Sequence, residues 1–160
     1  MITLENVRCK ADVYGISLEY VDLPENMFGI AVWHPGHSPQ IVLDVSLLDD
    51  PIKHKCTMAH EIGHIITAYG NGMPRLSATH IMRSQASRVE YQGKKWAAKF
   101  LMPYRELEAV MRSGNYEVWE LQEYFGVTRD AIWFRLNMSD GLRLKNEIAR
   151  KLNGQIMQYM

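Results

Sequence analysis

Cysteine is scarce in this chain of 160 residues: Cys9 and Cys56 are the only two, far apart, and they exclude a disulfide framework. Both are expected to be free thiols in a reducing compartment. Net charge is missing as well. Eighteen basic residues balance eighteen acidic ones, so no overall field draws the chain to nucleic acid or to an anionic membrane. No apolar run approaches the roughly 20 residues needed to span a bilayer. The stretch Met1-Ile2-Thr3-Leu4-Glu5 also lacks the basic-then-apolar pattern of a secretory signal. A cytosolic protein without membrane association is expected. Internal repeats, low-complexity tracts and Ser/Gly linkers are absent too. With 47% hydrophobic residues, a chain of this length is expected to form one domain.

What is present centres on Met58-Ala59-His60-Glu61-Ile62-Gly63-His64, which spells H-E-x-x-H. On a helix, residues four apart lie about one turn apart on the same face, so His60 and His64 can meet one ion. Two histidines and a carboxylate leave the fourth corner of a zinc tetrahedron open for water. Glu61, about 100° round the helix, can take that water's proton. Cys56 lies one turn before His60 and has two readings, a further ligand or a small core residue. Core is favoured, because a fourth protein ligand would close the site.

Along the chain, residues 4–15 predict a short, poorly phased helix. Three β-rich segments follow, Ile16 to Tyr20, Met27 to Trp33 and Gln40 to Val45, separated by Leu23-Pro24-Glu25-Asn26 and by His34-Pro35-Gly36-His37-Ser38-Pro39. They predict a small antiparallel sheet. Asp50 as N-cap and Pro51 at the first helical position start a helix that should run to about Tyr69 and stop at Gly70-Asn71-Gly72. Met73 to Ala86 has no clear period and is expected to be a loop beside the metal, a candidate for substrate contact. Further helices are expected over Arg88 to Leu101, Tyr104 to Arg112, Glu117 to Phe125, Thr128 to Asn137 and Leu142 to Leu152. His34, His37 and His54 are expected in turns or facing solvent, and His80 in a loop.

The third metal ligand is sought among carboxylates, since the spacing H-E-x-x-H-x-x-G-x-x-H is excluded: Thr67 stands where it needs glycine and Gly70 where it needs histidine. Glu90, 26 residues after His64, is the candidate, whereas Glu106 and Glu108 lie beyond Pro103 on a separate element. A plainer reading competes. Ser87-Arg88-Val89-Glu90 is S-x-x-E, and such a Glu can merely cap a helix.

The segment from Glu90 to Ala97-Ala98-Lys99-Phe100-Leu101-Met102-Pro103, placed after His60-Glu61-Ile62-Gly63-His64, resembles the ImmA/IrrE family of metallo-endopeptidases. That family's second signature is a helix that begins with a zinc-binding Glu and ends in Ala-Ala-x-Leu-Leu-Met-Pro. Here Phe100 replaces the first Leu, and Gly93-Lys94 and Trp96 stand where Ala-Asn/Asp and Phe are usual. The strand Ile41-Val42-Leu43-Asp44 is also similar, so the likeness covers roughly residues 16 to 137. It implies an α+β fold with the small sheet packed on a zincin-like helical core. It also implies Zn2+ on His60, His64 and Glu90, with Glu61 as general base. The expected partner is a helix-turn-helix repressor of a prophage or mobile element. One metallopeptidase domain over residues 1–160 is expected, with a catalytic core over 1–114 and a helical extension over 115–160. His80, Arg88, Tyr91 and Tyr104 are candidates, by neighbourhood only, for stabilising charge on the carbonyl oxygen.

Residues from Trp119 to Leu136 are patterned as a helix-turn-helix, with Gly126 and Val127 in the turn and Thr128 capping the second helix. DNA contact would fall to Arg129, Trp133 and Arg135. The acidic Glu117, Glu120, Glu123 and Asp130 oppose phosphate attraction, so packing beside the catalytic unit is favoured over DNA binding. Tyr124, Phe125, Ile132 and Leu136 are expected in the core. The alternative function is a DNA- or repressor-binding module without peptidase activity, or half of a toxin-antitoxin pair.

Overall fold

The computed structural model describes residues 1–33, 36–69, 83–114 and 117–156, and side chains throughout these except 68–69, 83–87 and 151–156. The expected helix stop at Gly70-Asn71-Gly72, His34, His80 and residues 73–82 of the expected loop lie outside them.

Helix α1, Leu4–Val13, starts at Thr3, which exchanges hydrogen bonds with Asn6 in a capping box, and it buries Val7 and Ala11. The three strands are β1 Ser17–Val21, β2 Gly29–Val32 and β3 Gln40–Asp44. Their order is β1-β3-β2. β3 runs parallel to β1, with Leu18 opposite Ile41, and antiparallel to β2, with Ile30 opposite Val42. The α+β class is as expected, but the sheet is mixed, not antiparallel. The reason lies in β3: Ile41 and Leu43 are completely buried, and the strand with the largest apolar payload takes the centre. The more polar β1 and the glycine-bearing β2 are left as edges. Asp44 secures the crossover by accepting hydrogen bonds from the Leu23 and Ser46 amides and the Ser46 hydroxyl.

A 3-10 turn over Val45–Asp49 leads into α2, Pro51–Tyr69. Asp50 caps it as expected: the Lys53 amide donates to the Asp50 carboxylate at 2.9 Å. Met58, Ala59, Ile62 and Ile65 line the inner face of α2. His54 shares that interior and corrects the expectation of an exposed histidine. It is 2% exposed, with Nε2 2.9 Å from the Tyr20 hydroxyl, and burial pushes its pKa down. Lys55, also buried, donates to the carbonyls of Ile2 at 2.9 Å and Phe125 at 2.8 Å.

Helix α3, Arg83–Leu101, begins five residues before the expected start, so residues 83–86 are helix and not loop. Glu90 is therefore interior to α3 and does not cap it. Helices α4, Tyr104–Arg112, α5, Val118–Phe125, and α6, Arg129–Leu136, fall where the pattern put them. Gly126 holds the left-handed turn between α5 and α6 at φ 56°. Thr128 caps α6 through the Ala131 amide. Phe125, Ile132 and Leu136 are buried as expected, but Tyr124 is exposed, its hydroxyl 3.4 Å from Glu106.

Helix α7, Ser139–Ile156, starts three residues earlier than expected. Two contacts explain this. Arg135, 1% exposed, forms two parallel hydrogen bonds to the Asp140 carboxylate at 2.9 and 3.0 Å and donates Nε to the Met102 carbonyl at 3.0 Å. Gly141 lies so close to α6 that a Cβ there would be 2.5 Å from the Arg135 carbonyl oxygen. Among the described residues, no helix is long and apolar enough to cross a membrane.

Arg135 thus ties α6 to α7 and to the end of α3. Arg135→Ala should destabilise the protein by about 3 kcal/mol, because it strands the Asp140 charge and the Met102 carbonyl. A urea denaturation midpoint within error of wild type would contradict that role.

Candidate metal centre

His60 and His64 project from one face of α2 with their Nε2 atoms 3.0 Å apart. Glu90, on α3, reaches both: Oε2 lies 3.4 Å from His60 Nε2 and Oε1 lies 3.2 Å from His64 Nε2. Zinc–nitrogen bonds of about 2.0–2.1 Å at tetrahedral angles put ligand atoms about 3.3 Å apart. The three donors therefore have the separations that one small dication requires, and they form a group able to hold a metal ion. Burial pushes the His60 pKa down to about 4, with the neighbouring His64 adding to the shift, and burial lowers His64 too. Near neutral pH both imidazoles are uncharged and present lone pairs, the form in which histidine ligates.

Two glycines bring the helices this close. A Cβ on Gly63 would lie 2.5 Å from the Gly93 carbonyl oxygen, and a Cβ on Gly93 would lie 2.8 Å from His64 Cε1. Glu90 precedes Gly93 by about one turn, so the point of closest approach fixes the distance from its carboxylate to the imidazole pair. Gly93 is thus a fit to the His64 ring. Its sequence signal was a glycine inside a helix, which costs about 1 kcal/mol against Ala and marks a close approach.

Glu61 points to the other wall. A Cβ on Gly29 of β2 would meet Thr57 Cγ2 at 2.9 Å and Glu61 Cγ at 3.0 Å, so the edge strand lies directly over Glu61. Burial, together with the charge of Glu90, pushes the Glu61 carboxyl up to about 7, opposed in part by a backbone hydrogen bond from Ala31. All four side chains line one cleft of about 820 Å³. Its walls include Phe28 and Ile30 near β2, Lys53 on α2, Ala98 and Leu101 on α3, and Asp130, Ala131 and Phe134 on α6. The Lys53 ammonium sits over the Phe28 ring, 3.1 Å from its centroid.

The pattern-based candidates sort clearly. His60, Glu61, His64 and Glu90 come together. Cys56 lines the cleft half-buried but stays outside the metal-holding group, and its Sγ accepts the Thr128 amide at 3.4 Å. Arg88, Tyr91 and Tyr104 do not line the cleft, and the Tyr91 ring instead lies 5.7 Å from that of Phe134, tilted by 56°. His37 is exposed as expected. Of the residues proposed for DNA contact, Arg135 is consumed inside the fold. The contribution of α6 to the cleft was not legible, since nothing in the sequence says which elements share a cavity.

An HExxH helix joined to a carboxylate-bearing helix beneath a small mixed sheet defines a metallopeptidase-like domain. The family described as the IrrE N-terminal-like domain, a peptidase family, matches residues 11–137, and the chain belongs to it. No curated protein matches the sequence. Among solved structures, a Mycobacterium tuberculosis transcriptional regulator is similar in fold at 20% identity, with a TM-score of 0.57 over 83% of this chain. The chain spans only 40% of that structure's length.

Gly93→Ala should push the His64 ring and lower zinc affinity by about 10–100-fold, the usual cost of disturbing a ligand's support. Zinc titration against a competing chelator checks this. The Glu61 carboxyl ionises near pH 4.5 in an unfolded chain and near 7 in the metal-free fold. The fold therefore holds the extra proton between those values, and stability falls as pH rises through 7. Glu61→Gln should make metal-free protein more stable than wild type by up to about 3 kcal/mol at about pH 8, and equal to it at about pH 4. The histidines titrate alike in both variants, so urea denaturation at the two pH values isolates Glu61.

Proposed function

We propose that this protein is a zinc-dependent endopeptidase, with His60, His64 and Glu90 as metal ligands and Glu61 as the general base. The observation that carries the proposal is the convergence of two neutral imidazoles and one carboxylate on a common point, within a cleft that also holds a proton-accepting Glu61. A bound zinc ion would supply a Lewis acid that polarises water and the scissile carbonyl. Glu61 takes the proton of the attacking water and delivers it to the leaving amine. Buried in the same cleft as the three ligands, Glu61 is placed to serve both halves of that transfer. The edge strand β2, packed against Glu61 at Gly29, forms one bank of the cleft.

The cleft walls are largely apolar, from Phe28 and Ile30 through Ala98 and Leu101 to Phe134. They suit an extended peptide with bulky apolar side chains. We propose a helix-turn-helix transcriptional repressor as the substrate and the cytosol as the place of action. Family membership and the fold shared with a protein titled a transcriptional regulator support a regulatory setting. Burial of Arg135 weighs against the DNA-binding alternative by removing one of its three contact residues.

Incubation of the zinc-loaded protein with a cognate repressor should yield discrete fragments, and chelation should abolish them. Glu61→Gln should reduce cleavage by about 100-fold or more while leaving zinc content unchanged. Undiminished cleavage by that variant would remove Glu61 as the base. DNA retardation that persists in chelator without any cleavage would overturn the peptidase reading altogether.

A further inference from the structure

Helix α3 uses two opposite faces. Glu90, Lys94, Ala97 and Leu101 form the stripe toward the metal cleft, while Lys95, Trp96 and Lys99 lie about half a turn round, on its far side. There, with Phe100 and with Lys10 and Tyr14 from the end of α1, they line a second groove of about 440 Å³. That volume falls within the roughly 300–1,000 Å³ typical of small-molecule sites.

The chemistry of this groove is one-sided. Three of its lining side chains are ammonium groups and none is a carboxylate. Among the described residues, none of the three has an ion-pair partner, although the chain as a whole carries no net charge. The floor is aromatic. Trp96 and Phe100 stack with centroids 5.0 Å apart and planes 17° from parallel. Lys10 Nζ lies 5.2 Å from the Tyr14 centroid and 6.0 Å from that of Phe100. Stacked rings favour a planar aromatic guest, and three lysines lining one groove favour phosphate, Lys95 turning to it from its place 5.9 Å from the Tyr91 centroid. Lysines scattered on a solvated helix would not share a concave aromatic floor.

We propose that this groove binds a small planar aromatic phosphate, of which a nucleoside monophosphate is the type. Its ring stacks on the Trp96–Phe100 pair and its phosphate is held by Lys10, Lys95 and Lys99. Since the groove lies across α3 from Glu90, binding does not depend on the metal or on peptidase activity. It stands or falls apart from the function proposed above.

The test is calorimetric and fluorescence titration of the full chain, metal-free and zinc-loaded, with AMP, adenosine and inorganic phosphate. AMP should saturate in both forms, with adenosine and phosphate each weaker by about tenfold or more, since each offers half of the recognised chemistry. Lys95→Gln combined with Lys99→Gln should weaken AMP by about tenfold or more at unchanged far-UV dichroism and urea midpoint. Trp96→Phe should keep the affinity and lose the fluorescence change. No saturable AMP binding, phosphate binding as tight as AMP, or wild-type affinity in the double variant would each overturn the proposal. Affinity for oligothymidylate that exceeds AMP and grows with length would overturn it in favour of a single-stranded nucleic-acid track.

Discussion

The metal-holding geometry depends on how closely α2 and α3 can cross. Two glycines, one per helix, remove the side chains that would otherwise separate the backbones, and the His64 ring fills the space beside Gly93. Packed helices usually lie 8–10 Å apart according to the side chains between them. Here the smallest residues sit at the contact, and a short carboxylate side chain on α3 can reach imidazoles on α2. The rest of the fold serves that crossing. The Asp50 cap fixes where α2 begins, the inner face of Met58, Ile62 and Ile65 fixes its rotation, and β2 lies over Glu61 from the other side.

Electrostatics at the site oppose stability and favour function. Burial holds two histidines neutral and one glutamic acid close to neutrality, and each costs free energy in the metal-free fold at some pH. A dication would reverse the balance, since it needs the unprotonated imidazoles and draws negative charge toward itself. The cost is borne where it is useful. A structural core would bury apolar groups in these positions and gain stability at every pH.

Much of this was legible in the chain, and the parts that were not have physical reasons. The H-E-x-x-H spacing and the Asp50-Pro51 start are local: they operate within one helix, and one helix is what a short window of sequence encodes. Glu90 was legible only through a resemblance, because taken alone the S-x-x-E spelling favours a cap. The start of α3 at Arg83 decides against capping, and no propensity rule gave it. Sheet order escaped because strand direction depends on which strand has most to bury, a comparison among three segments and not a property of any one. His54 escaped because its phase with Met58, one turn along the buried face, was outweighed by its polarity; the Tyr20 hydroxyl satisfies it.

The helix-turn-helix pattern shows how a local motif and its use can separate. Gly126, Val127 and Thr128 build the turn as the motif requires. A groove-reading helix, however, needs its basic residues outward. Arg135 is directed inward onto Asp140 and Met102, so the charge that would meet phosphate instead holds α7 in place. Thr128, Ala131 and Phe134, at the start and along the length of α6, lie along the metal cleft, and Cys56 on α2 accepts the amide that opens the helix. These three ties orient α6 so that it completes one wall of the cleft. Orientation, set by one buried arginine and one half-buried thiol, determines which surface the motif offers.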